Sequence, residues 1–309
     1  MIGYQFQITS RTGQSVTIND FTTDPSNLIA LQDYPVFDVD IKNSEMDKEG
    51  QHGIWDFASF YGKRVLTFSG LIIGQDEAHV ETLKRQLLQV TALPAQPDTA
   101  NDGLVLVKWT DANGDAWQIY AKLERAIRFD RQIKQKQRLA FVMSLKCPDP
   151  LIESQTEQTH SGTRGWQTGS LKLASKLPAK FNLIYKNPIT ITNNGNAQAH
   201  TIIRLYGEAG GITNPAIKNV TTGKTFQVNT TLTDDTKYVE INSKTGIVKD
   251  QAGTDVSGLV DGASEYILLQ VGSNELVYLS SESSGAQSPV NTWTFPAAAF
   301  SINHRDAIV

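Results

Sequence analysis

Between Leu139 and Lys146 the chain alternates without interruption: Leu139, Phe141, Met143 and Leu145 are separated by Ala140, Val142, Ser144 and Lys146. A period of two sends the two sets to opposite faces of an extended strand, so this stretch fits a sheet with one richly apolar face and no helix. The pattern recurs. Trp117, Ile119, Ala121 and Leu123 alternate with Gln118, Tyr120 and Lys122, and Phe37, Val39 and Ile41 with Asp38 and Asp40. Between Leu104–Trp109 and Trp117–Leu123, Asn113-Gly114 supplies a residue pair that accepts positive φ cheaply, which predicts a β-hairpin. One helix stands out. Over Asp76–Val90, Val80, Leu83, Leu87 and Val90 recur at spacings of three and four, acidic residues open the segment, and Pro94 and Pro97 end it.

The 309 residues suit two domains. Residues 153–180 are rich in Gln, Thr, Ser and Gly and read as a linker or extended connection. This gives a first domain over 1–152 and a second over 181–309. In the second, short strands are expected at Ile189–Thr192, Thr201–Tyr206, Tyr238–Ile241, Tyr266–Val271 and Leu276–Leu279, with turn residues between them, which suggests a β-sandwich. The fold class expected is therefore mainly β: two β-sandwich-type domains, the first carrying a single packed α-helix.

Chemistry-bearing patterns are sparse. The formal net charge of −4 does not suit a chain that coats nucleic acid or an anionic membrane, and no apolar run reaches the length of a membrane span. The opening residues lack the basic and apolar regions of a signal peptide, so export by that route is not expected. The single cysteine, Cys147, allows no intrachain disulfide, fits assembly in a reducing cytoplasm, and is expected to be a small buried side chain. The histidines 52, 79, 160, 200 and 304 are scattered without zinc spacing. Asp111–Asp115 lacks the glycine and glutamate that a calcium loop needs at its sixth and twelfth positions, where Ala116 and Lys122 stand. Neither a phosphate loop nor a nucleophile elbow occurs, and Asp38 and Asp40 fit a solvated strand face better than a glycosidase pair. No catalytic, cofactor or metal site is expected. Between Lys108 and Lys146, nine basic residues against four acidic ones give a net +5, centred on Arg125, Arg128, Arg131, Lys134, Lys136 and Arg138. With Phe129 as its main aromatic, this run fits an acidic protein face or a solvated hairpin tip better than sequence-specific nucleic acid.

Three stretches carry a resemblance to a known family. The first is Lys48–Trp55, a glycine-containing loop, followed by Phe60–Gly74 with Arg64 near the start of an alternating strand and a helix near Asp76. The second is Cys147-Pro148-Asp149-Pro150-Leu151-Ile152. The third is Ile191–Ala199 with Asn193-Asn194-Gly195-Asn196, then Ile202–Gly207, with Asn214-Pro215 and Val271–Asn274 further on. In order and spacing these resemble the siphophage distal tail protein family over nearly the full length. The resemblance implies a structural, non-enzymatic protein of the virion tail tip, assembled in the bacterial host cytoplasm. It implies a homohexameric ring built by the first domain, partners in the tail tube protein and the tail-associated hub protein, and a galectin-like second domain that carries receptor-binding or baseplate proteins. The loop residues Ile54, Trp55, Phe57 and Phe60, together with Arg64, Arg128 and Arg131, are the subunit-interface candidates; Trp55 and Phe57 fit core packing equally well. The alternative function is a carbohydrate-binding sandwich for cell-wall adsorption, with Trp166 and Trp293 as stacking platforms.

Overall fold

The computed structural model describes residues 4–22, 28–47, 54–56, 59–93, 103–130, 137–163, 166–168, 184–208, 211–280 and 299–309. The chain forms two compact units, residues 1–155 and 156–308.

The first unit contains β1 (Phe6–Thr9), β2 (Ser15–Ile18), β3 (Leu28–Leu31), β4 (Val36–Lys42), β5 (Glu45–Asp47), β6 (Ile54–Asp56), β7 (Phe60–Ile73), α1 (Glu77–Val90), β8 (Val105–Thr110), β9 (Ala116–Leu123), β10 (Arg128–Asp130), β11 (Arg138–Cys147) and β12 (Ile152–Ser154). Its main sheet runs β2-β1-β8-β9-β11-β7-β3, with β4 also on β7 and β10 on β11. The 14-residue β7 is its spine, since alternate residues from Gly62 to Ile72 face inward. Strand β11 pairs antiparallel along it from Arg138↔Ile73 to Cys147↔Arg64. The inward set from the two strands, Leu66, Phe68, Ile72, Leu139, Phe141, Met143 and Leu145, meets Phe6, Ile8, Ile18 and Val107 in one core. Each such side chain contributes about 1.5–3 kcal/mol by leaving water. Phe6 packs edge-on against Phe68 at 5.4 Å. Gly70 lets Phe141 and the Ala30 carbonyl close on the spine, since a Cβ there would lie 2.2 Å from that oxygen.

The predicted hairpin is present. Strands β8 and β9 pair from Val105↔Ala121 to Thr110↔Ala116, and Gly114 takes the positive φ at its turn. The helix begins where its cap requires, with Asp76 accepting the His79 backbone N–H at 2.8 Å. Val80, Leu87 and Val90 are buried and Leu83 is half-buried, so the apolar stripe does face the unit's interior.

The second unit contains β13 (Gln158–Gly162), β14 (Trp166–Thr168), β15 (Ile184–Lys186), β16 (Ile189–Asn193), β17 (Thr201–Tyr206), β18 (Ile212–Thr213), β19 (Ala216–Asn219), β20 (Thr225–Gln227), β21 (Thr231–Leu232), β22 (Tyr238–Asn242), β23 (Ile247–Asp250), β24 (Gly272–Leu279), β25 (Phe300–His304) and β26 (Ala307–Ile308). A five-stranded sheet, β13-β25-β17-β22-β23, and a four-stranded sheet, β16-β24-β19-β20, enclose a core of Ile203, Leu205, Ile241, Phe300 and Ile302 with Ile191, Ile217, Phe226, Leu276 and Tyr278. The Tyr278 hydroxyl donates to the Tyr206 carbonyl at 2.8 Å, so the largest core side chain leaves its polar end satisfied.

Two expectations are corrected. Gln158–Gly162 falls within the linker or extended connection expected over 153–180, and it is a strand of the five-stranded sheet; Glu153 and Ser154, from the same span, end strand β12 and pair with β9. The signal was absent because the inward residues of β13 are Gln158, His160 and Gly162, none of them large and apolar. Tyr266–Val271 was expected as a strand, yet only Leu269 forms a bridge, to Ala199, and the strand begins at Gly272.

Candidate assembly surface of the first unit

The site is built on the end of β7 that outruns its neighbour. Strand β11 stops at Cys147 opposite Arg64, so Phe60 and Tyr61 pair with β4 alone among the described strands, past an irregularity between Val39 and Ile41. There Ile41 faces Tyr61 and Lys42 faces Phe60, on a two-stranded ribbon. Among the described residues Ile41, Phe60 and Tyr61 on that ribbon are 62%, 65% and 54% exposed. Val36 and Tyr34 continue the apolar surface along and before β4, and Asp38 and Asp40 are exposed beside them. The outward residues of β4 thus combine large apolar side chains with carboxylates.

Across the same sheet, β10 lies on the far side of β11, with Arg128 opposite Val142 and Asp130 opposite Ala140. Arg125, Arg128 and Arg138 are exposed there, and Val142 is 38% exposed. Arg125 reaches the Ser144 hydroxyl at 3.3 Å, and Lys84 sits 5.6 Å over the Phe129 ring. The two strands flank the β7–β11 pair, about 14 Å apart at the usual strand spacing. One margin of the sheet exposes Asp38 and Asp40, with Lys42 beyond them, among large apolar side chains; the other is richer in arginine.

The predicted interface residues fall into four groups. Phe60 and Arg128 are on the surface. Ile54 and Trp55 lie in β6, which pairs with β5 in the register Met46↔Trp55 and Asp47↔Ile54. Phe57 and Arg131 lie outside the described residues, as do Lys134 and Lys136. Arg64 is a correction, because it is only 3% exposed. Its Nε donates to the Pro150 carbonyl at 2.8 Å and its Nη1 to the Phe37 carbonyl at 3.1 Å, so it clamps β4 and the Asp149-Pro150 segment to the spine. Burial lowers its pKa. On the paired strand, burial pushes the Cys147 thiol up to about 12, against the pull of the Arg64 charge, which makes the thiol inert. Sequence reasoning missed Ile41 and Tyr61, whose signal was a strand residue still apolar on a face that β11 no longer covers.

In the second unit the glycine and asparagine motifs prove to be buried amide locks. Asn193 donates to the Ala197 and Leu269 carbonyls and accepts from the Gly195 N–H. Asn274 donates to the Gln270 and Gly272 carbonyls and accepts from the Gln270 N–H and from Asn219. These residues hold loops to strands and present no chemistry to solvent. The Trp166 side chain and Trp293, the proposed sugar platforms, lie outside the described residues. Among the described residues no group of His, Cys, Asp and Glu is placed to hold a metal ion, and no helix is long and apolar enough to cross a membrane.

Residues 194–294 match the family described as the siphovirus-type tail component, C-terminal domain. The Dit protein (gp 19.1) of phage SPP1 superposes on the chain with a TM-score of 0.63 at 12% identity, covering 98% of this chain and 99% of that one. The second unit carries a siphovirus-type tail component domain, and the whole chain has the Dit fold. That SPP1 protein is described as a paradigm of the hub adsorption apparatus in phages that infect Gram-positive bacteria. A chain of the phage P2 baseplate, activated with Ca, matches at a TM-score of 0.51 and 10% identity over 98% of both chains. The Sr-activated form of that baseplate matches at 0.50 and 10%, over 97% of this chain and 98% of that one. No curated protein sequence matches the chain. Both units share in the Dit fold, and the matched region contains the Asn219–Asn274 pair, while Asn193 lies one residue before it.

Proposed function

We propose that the chain is a structural subunit of a phage tail tip: a distal tail protein whose first unit assembles into a homohexameric ring between the tail tube protein and the tail-associated hub protein. The second unit, galectin-like in this reading, carries receptor-binding or baseplate proteins on the outside of the ring. The likeness to SPP1 Dit across both units is the observation that carries the reading. Assembly would take place in the host cytoplasm before lysis, which suits a chain with one buried thiol.

The ring interface follows from the two margins of the sheet. A ring of identical subunits repeats one heterologous contact until the rotation closes, so each copy must offer two different and complementary surfaces. The apolar β4–β7 ribbon of one copy, with its Asp38–Asp40 patch, fits the arginine-rich β10 margin of the next. Ile41, Phe60 and Tyr61 would supply the buried area, and Asp38 and Asp40 would meet Arg125 and Arg128, with Ile54, Trp55, Phe57 and Arg131 flanking the contact. Opposite charges steer and orient the contact more than they strengthen it. Arg64 acts inside each subunit. Solution mass and negative-stain images of the purified chain test the reading. Six-fold rings with a central channel support it; a chain that stays monomeric in the presence of its tube and hub partners refutes it.

A further inference from the structure

A pair of histidines stands where the second unit would be expected to place apolar side chains. His160 on β13 and His304 on β25 stack with ring centroids 5.3 Å apart and planes 24° from parallel. His304 is 2% exposed, and among the described residues its ring nitrogens find only long contacts, to the Asp306 carboxylate and the Thr192 backbone, while the buried Nε2 of His160 has no close partner. Burying ring nitrogens so weakly paired costs free energy, so the arrangement invites a reason beyond packing.

The surroundings weigh against a positive charge on the buried ring. Asp306 is the carboxylate that faces the pair, its Oδ1 3.6 Å from His304 Nε2. Its oxygens are already engaged, since it accepts the Asn194 backbone N–H at 3.0 Å, the Gln158 side-chain amide at 2.9 Å and the Asn194 side-chain amide at 3.4 Å. From β16 the Thr192 backbone lies against His304. Arg305 and Glu157, next along the chain, pair with each other at 3.0 Å, and Glu157 also accepts from Asn303. Burial depresses the pKa of His304; Asp306 opposes that shift and His160 reinforces it.

Strand β13 is the element these rings hold. It is the edge of its sheet, hydrogen-bonded to β25 alone among the described strands, from Gln158↔His304 to Gly162↔Phe300. Apart from the stacked ring of His160, its inward side offers Gln158 and Gly162, and a Cβ at Gly162 would collide with the Phe300 ring at 2.5 Å. We propose that the His160–His304 stack is an acid-sensitive latch: with the buried His304 ring neutral, the stack holds the first strand of the second unit on its sheet; with His304 charged, it lets that strand go. A charge there faces a carboxylate whose oxygens are already engaged and lies against the stacked ring of His160 in a buried site. The sign follows from the direction of the shift. A buried imidazole with a depressed pKa takes up its proton less readily folded than unfolded. Its contribution is complete above the ordinary imidazole value of about 6.5 and is lost as pH falls below that value toward the folded one.

The latch does not depend on the ring reading. Hydrogen exchange of the intact chain, read by mass spectrometry and corrected for intrinsic rates, tests it between about pH 7.5 and about pH 5, above the range where carboxylates titrate. Amides of Gln158–Gly162 should lose protection by about tenfold or more on acidification, a change equivalent to one pH unit of proton linkage, while β17 and β22 keep theirs. His160→Phe and His304→Phe should abolish the pH dependence; His160→Gln, at the half-buried partner, serves if the phenylalanine variants do not fold. Unchanged protection of this strand at the lower pH overturns the proposal. So does an undiminished acid response in His160→Gln.

Discussion

Of the large apolar side chains left exposed among the described residues, ten lie in residues 1–155, from Phe21 to Val142, and three in residues 156–308: Ile247, Leu259 and Val271. The two units bury interiors of the same kind, so the difference lies in how each ends its sheets. The second unit closes its loops with buried amides, Asn193, Asn219 and Asn274, which satisfy backbone groups inside the unit and leave little for a neighbour. The first unit lets β7 run past β11 and leaves Phe60 and Tyr61 uncovered. Exposed apolar surface concentrated on one unit, beside charges of opposite sign on its two margins, is what a subunit that meets copies of itself requires. Under the proposed reading, assembly falls to the first unit and the second stands as a self-contained platform.

Several substitutions break or sharpen that contrast. The largest effect should come from the core of the first unit: Phe68→Ala is expected to cost about 3–5 kcal/mol in chemical denaturation, and assembly with it. In the second unit, Asn274→Ala strips partners from the Gln270 N–H and two carbonyls, and should cost about 3 kcal/mol without altering assembly of the first unit. Phe60→Ala and Tyr61→Ala should change stability by no more than about 0.5 kcal/mol, because both side chains are exposed, while abolishing assembly; loss of stability instead would make them core residues. Cys147 should not react with a thiol reagent at about pH 8 until the protein is denatured; rapid labelling of the folded chain would contradict its burial. A modest lowering of the Tm, equivalent to about 1 kcal/mol and without effect on assembly, is expected for Asp76→Ala, which removes the helix cap.

Most of the architecture was legible in the sequence wherever burial on one face writes a period of two. Strand Thr201–Tyr206 matches its expected bounds, and the hairpin and helix fall where turn chemistry and the apolar stripe put them. Strand β13 was illegible because its inward side is Gln158, His160 and Gly162, packed on residues more than a hundred positions away. Arg64 was legible but misread. It shares parity with Leu66, Phe68 and Ile72, and parity on a one-faced strand places it inside whatever its charge. The histidine pair could not be found from spacing, because only the strand register brings positions 160 and 304 together.

The central claim is that opposite margins of the first unit recognise each other. Its most direct test is a mixing experiment read by light scattering and negative stain. One variant carries Asp38→Lys and Asp40→Lys, the other Arg125→Glu and Arg128→Glu. Each presents two margins of like sign and should remain unassembled alone. Mixed, the basic ribbon of one matches the acidic margin of the other, and alternating even-numbered rings should re-form. Rings from either variant alone, or none from the mixture under conditions where the unaltered chain assembles, would contradict the account.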